Sequence, residues 1–266
     1  MQAVSFGPFV FAGDRLAAII GIIAFMAATS ILSSRLDPRI GRWSTWVLIA
    51  GLVAARLGHV IENASSFATE PWRILAVWQG GFSWPWAAGS VVAVSVALVR
   101  TRRAAIGVVV SLAIALFAWN VVWQLTNATP STPMPTVVLE NAKGGETPLT
   151  SFQGKPIVLN LWASWCPPCR REMPMMADMA AAKTDVTFLF VNQGERRGPI
   201  EAYIAGQKLT LPNVLFDLRQ EVARHYSVPG LPVTLFIGSD GQVRSVHVGE
   251  ISREALTAAV NCLVAE

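Results

Sequence analysis

Cysteine and histidine are scarce in this 266-residue chain, three of each, and no two histidines stand in a paired ligand spacing. A structural zinc site needs four ligands at short intervals, so the single Cys-x-x-Cys pair, Cys166 and Cys169, lacks a second half and no metal site is expected. Charge is scarce too. Charged residues make up 14% of the chain against 53% hydrophobic, and mean hydropathy is positive, which excludes an ordinary soluble composition. Lysine and cysteine are both missing before residue 126. The net charge of +4 is no nucleic-acid footprint, because nine arginines against four acids before residue 126 give +5 and leave −1 for the rest.

What the first half does have is long apolar runs. Four of them, at residues 10–32, 43–61, 84–99 and 104–125, reach or approach the ~20 helical residues that cross a ~30 Å bilayer core. The first lacks a basic leading region and is too long for the core of a signal peptide, so it reads as a retained span. Arg35, Arg39 and Arg42 follow the first run, and Arg100, Arg102 and Arg103 follow the third. Positive loops stay in the cytoplasm, which predicts that both ends of the chain face outward. Trp84, Trp86, Trp119 and Trp123 then lie near the outer interface, Trp43 and Trp46 near the inner one. Residues 70–81 predict a short interfacial helix opened by Pro71 and closed by Gly80 and Gly81. Arg56, near the outer end of the second span, is expected to snorkel to lipid headgroups or to pair with Glu62, and His59 to be a polar interface residue.

Residues 126–136 carry three prolines among small polar residues and predict an extended tether. It separates a transmembrane domain, 1–125, from a domain of 137–266, long enough for its own core. The second domain alternates strand and helix signals. Strands are expected at 157–163, 186–192 and 213–216, and a hairpin of 233–237 with 242–248 through Ser239-Asp240-Gly241. Helices are expected at 167–183, 199–207 and 218–226, with a last one capped by Ser252. Met173, Met175, Met176 and Met179 read as core filling, and Cys262 as a small buried or semi-buried thiol. Glu172, Glu195, Arg170 and Arg171 read as solvated.

The stretch Trp162-Ala163-Ser164-Trp165-Cys166-Pro167-Pro168-Cys169-Arg170 sets both thiols where an apolar strand hands over to a helix. At a helix start, unpaired N–H groups and the positive end of the macrodipole favour a thiolate at Cys166, and Cys169 is one turn away, within reach of its sulfur. Pro167 and Pro168 bring no N–H donors to that turn. Gly230-Leu231-Pro232-Val233-Thr234 places a proline ahead of a strand, a setting in which a cis peptide can bring backbone against the sulfurs.

These residues, with Gly154-Lys155-Pro156, Asn160-Leu161, Glu172-Met173-Pro174 and Asp240-Gly241, make the C-terminal half similar to the thioredoxin superfamily, and within it to the TlpA-like branch. The resemblance implies an α/β thioredoxin-fold domain, which follows the α-helical membrane domain of about four spans that the apolar runs predict. It implies that Cys166 is the nucleophile and Cys169 the resolving thiol of a thiol–disulfide oxidoreductase. Trp165, Pro167, Pro168, Leu231 and the cis-proline Pro232 are then the substrate groove, and Pro174 the kink of the active-site helix. Thioredoxin itself has a buried aspartate where this chain has Asn160, so another base or water must take the proton of Cys169. The redox-active pair implies no further cofactor. Expected partners are periplasmic proteins with disulfides, apocytochrome c and a methionine sulfoxide reductase among them, together with the lipid bilayer and a membrane electron donor of the CcdA or DsbD kind. The cysteine-free first half cannot itself relay electrons, and the domain is expected on the periplasmic face of a bacterial inner membrane. A periplasmic disulfide oxidase is the alternative.

A second resemblance lies in the first half. Gly7-Pro8-Phe9, Ala55-Arg56-Leu57-Gly58 and Trp78-Gln79-Gly80-Gly81-Phe82-Ser83 are similar to the N-terminal part of prolipoprotein diacylglyceryl transferases, but Trp84-Pro85-Trp86 replaces the family's His-Gly-Gly. The resemblance implies a derived anchor, with lipid transfer as the rival activity.

Overall fold

The computed structural model describes residues 3–6, 9–69, 71–77, 80–127 and 132–265. Glu70, Trp78 and Gln79 of the expected interfacial helix, Gly7 and Pro8, and residues 128–131 of the expected tether lie outside them. The chain divides into two compact units, Gly13–Asn127 and the remainder.

In the helical unit, α1 (Gly13–Arg35) packs along α5 (Arg102–Asn127), and α2 (Arg39–Glu62) along α4 (Trp84–Leu98). A short α3 (Ala64–Thr69) and a 3-10 turn (Pro71–Leu75) lie between α2 and α4. Phe25, Ile40, Trp43, Val47, Ala104 and Val108 form the core, and the Trp43 indole N–H donates to Ser95 Oγ at 3.0 Å. A Cβ at Gly58 would overlap the Trp86 indole, so only glycine allows α2 and α4 to meet there. Ile23, Met26, Leu52, Val96 and Phe117 point outward and stay exposed, as on surfaces solvated by hydrocarbon. Among the described residues three helices are long and apolar enough to cross a membrane, Arg15–Arg35, Arg39–Glu62 and Arg102–Thr126. The fourth, Trp84–Leu98, has 15 residues. At 1.5 Å per residue it covers only about 22 Å, so the expected four spans become three of full length and one short helix.

The first helix also starts later than expected. Phe9–Ala12 (β2) pairs antiparallel with Ala3–Phe6 (β1), and helix begins only at Gly13. A continuous apolar run does not distinguish strand from helix, and Phe9-Val10-Phe11 suits either.

Arg56 neither snorkels nor meets Glu62. It is buried, and its guanidinium donates to the carbonyls of Ile74 (3.0 Å), Gly80 (2.7 Å), Gly81 (3.0 Å) and Arg73 (2.6 Å). Glu62 accepts from Ser83 Oγ at 2.7 Å instead. Gly80 and Gly81, at φ +78° and +83°, turn their carbonyls toward the guanidinium in a conformation other residues rarely take. The arginine thus ties together carbonyls at the end of the 3-10 turn and in the glycine loop. Lysine offers no planar fork, so Arg56→Lys is expected to destabilise the helical unit by about 2–4 kcal/mol. A tryptophan-fluorescence melt in detergent checks this, and an unchanged midpoint would contradict it.

The other unit is built on a seven-stranded sheet in the order β4-β3-β7-β6-β5-β8-β9. Its strands are β3 (Val138–Asn141), β4 (Glu146–Pro148), β5 (Ile157–Trp162), β6 (Thr187–Gln193), β7 (Val214–Asp217), β8 (Val233–Ile237) and β9 (Val243–Val248). β5, β6 and β7 run parallel, and β8, β9 and β3 join antiparallel. Helices α6 (Pro167–Ala182), α7 (Arg197–Gly206), α8 (Glu221–His225) and α9 (Arg253–Val264) complete it. The central strand is buried on both sides, which is why β5 reads as an unbroken apolar run. Ile157, Leu159 and Leu161 enter one core with Leu149 and Val222, while Val158 and Trp162 enter the other with Met173, Met176 and Leu256 of α6 and α9. Asn160, between the latter pair, faces α6 by the two-residue period.

The hairpin and the Ser252 cap form as expected, Ser252 Oγ accepting from Ala255 N–H at 3.2 Å. Asp217 caps α8 by accepting from the N–H groups of Glu221 and Val222 at 2.8 and 2.9 Å. Strands β3 and β4 carry no apolar alternation strong enough to announce them. The expected tether is docked at its end: Pro133 bridges Gln242, and the buried Met134 donates its N–H to Gly241 O at 2.9 Å.

Candidate active site

Cys166 caps α6 and Cys169 lies in its first turn, the two joined by a disulfide with Cα atoms 5.3 Å apart. Pro167 and Pro168 occupy the intervening helical positions, and Cys169 N–H points back to Cys166 Sγ at 3.3 Å. Both cysteines are buried, while Trp165 beside them is 65% exposed. Pro167 is also exposed, and Pro168 and Leu231 are half-buried. The Leu231-Pro232 bond is cis, Pro232 is buried, and Leu231 packs against the core cluster that contains both cysteines. Trp162, next to the motif, lies fully in the core, its ring 5.6 Å from that of Tyr203. The methionines follow the core reading: Met173, Met176 and Met179 are buried, and Met175 packs against the same cluster.

Two acids that the sequence assigns to solvent belong to the site. Glu172 is 2% exposed. Its Oε1 accepts from Asn160 Nδ2 and its Oε2 from Ile251 N–H, both at 2.9 Å. Burial pushes its pKa up to about 8, against the two hydrogen bonds, which favour the charged form. Cys169, Glu172, Met173 and Met176 follow the i, i+3, i+4, i+7 spacing of one helix face. Had that stripe been extended through the acid, the sequence would have revealed it. Glu195, from the loop after β6, accepts from Ser164 N–H (2.6 Å), Ser164 Oγ (2.5 Å) and Asn192 Nδ2 (2.8 Å). It thereby fastens the loop that leads into Cys166. The 31-residue separation of Ser164 and Glu195 hides this arrangement from pattern reading.

Arg171 is not free either. Its guanidinium meets Glu250 at 2.6 Å and ties the start of α6 to the loop before α9. Arg170 stacks over the Tyr203 ring at 5.5 Å. Cys262, expected to be buried or semi-buried, is exposed on α9. Among the described residues no group of three His, Cys, Asp or Glu side chains is placed to hold a metal ion.

A cysteine pair at the strand-to-helix handover of such a sheet, with a cis-proline before the next strand, defines the class of thioredoxin-fold thiol–disulfide oxidoreductases. Comparison with known proteins places the chain within it: the chain belongs to the thiol–disulfide oxidoreductases of the ResA type. It is 36% identical over 122 residues to ResA of Geobacillus kaustophilus, covering 45% of this chain and 70% of the relative. To ResA of Bacillus subtilis it is 32% identical over 124 residues, 46% of this chain and 69% of the relative. A secreted disulfide oxidoreductase of Mycobacterium tuberculosis, homologous to E. coli DsbE, is 27% identical over 48% of this chain and 96% of its own, with a TM-score of 0.44. The AhpC/TSA family matches residues 130–246, and prolipoprotein diacylglyceryl transferase matches residues 3–125.

Because the folded protein holds the Glu172 proton more tightly than the unfolded chain does, the stability this group contributes is full below about pH 4.5 and is lost as pH rises toward about 8. Denaturation of the oxidised protein across that range should show the decline. Glu172→Gln should flatten it, and an equal slope in the variant would exclude Glu172 as its source.

Proposed function

We propose that this chain is a membrane-tethered reductase of protein disulfides, with residues 1–125 as anchor, 126–136 as tether and 137–266 as a periplasmic domain. The observation that carries the reading is the Cys166–Cys169 disulfide at the start of α6 with a buried acid three residues on. In the reduced form the Cys166 thiolate attacks a substrate disulfide, forms a mixed disulfide and releases one substrate thiolate. Glu172 takes the proton of Cys169, whose thiolate attacks Cys166 Sγ. The second substrate thiolate leaves, and the pair is left oxidised. Trp165, Pro167, Pro168, Leu231 and Pro232 form the surface on which the substrate lies. A membrane dithiol donor of the CcdA or DsbD kind returns the pair to the reduced form, and apocytochrome c or an oxidised methionine sulfoxide reductase is the disulfide served.

Glu172 supplies the base that Asn160 does not. Its pKa, near the working pH, allows both acceptance and return of a proton. Direction follows from the donors around sulfur. Pro167 and Pro168 have no N–H to stabilise a Cys166 thiolate, and a less stabilised thiolate makes the couple more reducing. Titration against glutathione is expected to give a midpoint near −250 mV, and a value near −120 mV would favour a disulfide oxidase. Cys169→Ser is expected to trap substrates covalently on Cys166, and their absence from non-reducing gels would count against the assigned roles. The match of residues 3–125 to diacylglyceryl transferases supports the rival activity, lipid transfer. With Trp84-Pro85-Trp86 in place of His-Gly-Gly, no transfer to a lipobox peptide is expected.

A further inference from the structure

Asn160 sits in the middle of the central strand, fully buried, between the acid on α6 and the strand that follows the cis-proline. Its Nδ2 donates to Glu172 Oε1 at 2.9 Å and to Thr234 Oγ1 at 3.2 Å. Among the described residues its Oδ1 has no hydrogen-bond partner. A buried acceptor left unmet is costly, and this one belongs to a group touching the carboxyl that changes charge during the reaction.

Both oxygens of Glu172 face donors, Asn160 Nδ2 and the N–H of Ile251. That suits a carboxylate and opposes a carboxylic acid, whose O–H needs an acceptor. The backbone N–H of Ile251 cannot change its character. The Asn160 amide can, because its two ends are nearly equal in size and a half-turn about Cβ–Cγ exchanges donor for acceptor. We propose that Asn160 is a positioning residue whose amide reverses with the protonation of Glu172, turning N–H to the carboxylate and the carbonyl oxygen to the carboxylic acid.

This rests on Glu172 being the base for Cys169. When the Cys169 thiol gives up its proton, Glu172 gains one and donates it in a hydrogen bond to Asn160 Oδ1. When the proton returns, the amide turns back. Thr234 accommodates both states, since a hydroxyl accepts from Nδ2 or donates to Oδ1 as it rotates. Each state leaves one end of the amide unmet, so neither is locked. The charged groups facing Glu172 are Arg171 from its own helix and Glu250 from the loop before α9, with the cysteine pair at the helix start. From β5 and β8 the facing groups are Asn160 and Thr234, both uncharged. An aspartate at position 160 would add a second carboxylate to this pocket and could not serve both states.

The test uses the oxidised full chain in lipid nanodiscs, labelled with 13C in glutamate side chains and 15N in asparagine side chains. Glu172→Gln and Asn160→Thr assign the signals. As the Glu172 carboxyl titrates, the Asn160 NH2 resonances are expected to move with the same midpoint and to lose their contact with Thr234 on the acid side. If Glu172 titrates while those resonances and that contact stay constant, the reversal is overturned and the base stands. If alkylation of Cys169 in the reduced protein has a pH midpoint unrelated to that of Glu172, the base reading fails, and the proposal with it. In kinetics, Asn160→Thr, which still donates and accepts, is expected to keep Cys169-dependent resolution within about threefold of wild type, and Asn160→Leu to slow it about tenfold. A wild-type rate for the leucine variant would also overturn the proposal.

Discussion

A carboxyl group held out of water beneath the cysteine pair is the constraint on which the active-site unit turns. Glu172 can be buried only because two donors reach it, one from the central strand and one from the loop before the last helix. Those donors fix the distance of α6 from β5 and the position of residues 249–252, a loop that the Arg171 to Glu250 ion pair also holds. Burial raises the proton affinity of the acid, and the donors restrain the rise. A group poised in this way near neutrality can both accept and return a proton, which a solvated glutamate with its ordinary pKa does poorly.

The helical unit answers a similar question by other means. The buried Arg56 guanidinium near the end of α2 donates to backbone carbonyls of the turn and loop that follow. A cation therefore organises irregular backbone, where the other unit uses a buried carboxyl group to organise regular elements. In each unit the buried ionisable group is met by groups from different parts of the chain, so its burial requires the tertiary structure and reinforces it.

Much of this was legible in the sequence. The cysteine pair, the proline ahead of β8, the hairpin at Ser239-Asp240-Gly241 and the helix capped by Ser252 rest on local chemistry, and local chemistry is what a sequence displays. Glu172, Glu195 and Arg56 escape sequence reading for one shared reason. A charged residue is assigned to solvent unless a partner is visible nearby, and theirs lie far along the chain: Ile251 is 79 residues from Glu172, Ser164 is 31 from Glu195 and Gly81 is 25 from Arg56. The late start of α1 has a different cause, since Phe9-Val10-Phe11 fits strand and helix equally and pairing with Ala3–Phe6 decides the matter. Strands β3 and β4 owe their place to pairing with each other and with β7.

The parity of β5 has a consequence for how this enzyme can change. Odd-numbered residues of the strand supply one core and even-numbered residues the other, with the single amide among the even ones. Insertion or deletion of one residue upstream, within the strand, would send that amide to the opposite layer and present a leucine to the acid. The protein would keep a nearly uniform apolar strand and much of its hydrophobic content while losing the amide's hydrogen bond to the buried acid. Variation in this lineage is therefore free to lengthen the surrounding loops but must preserve the phase of six consecutive residues.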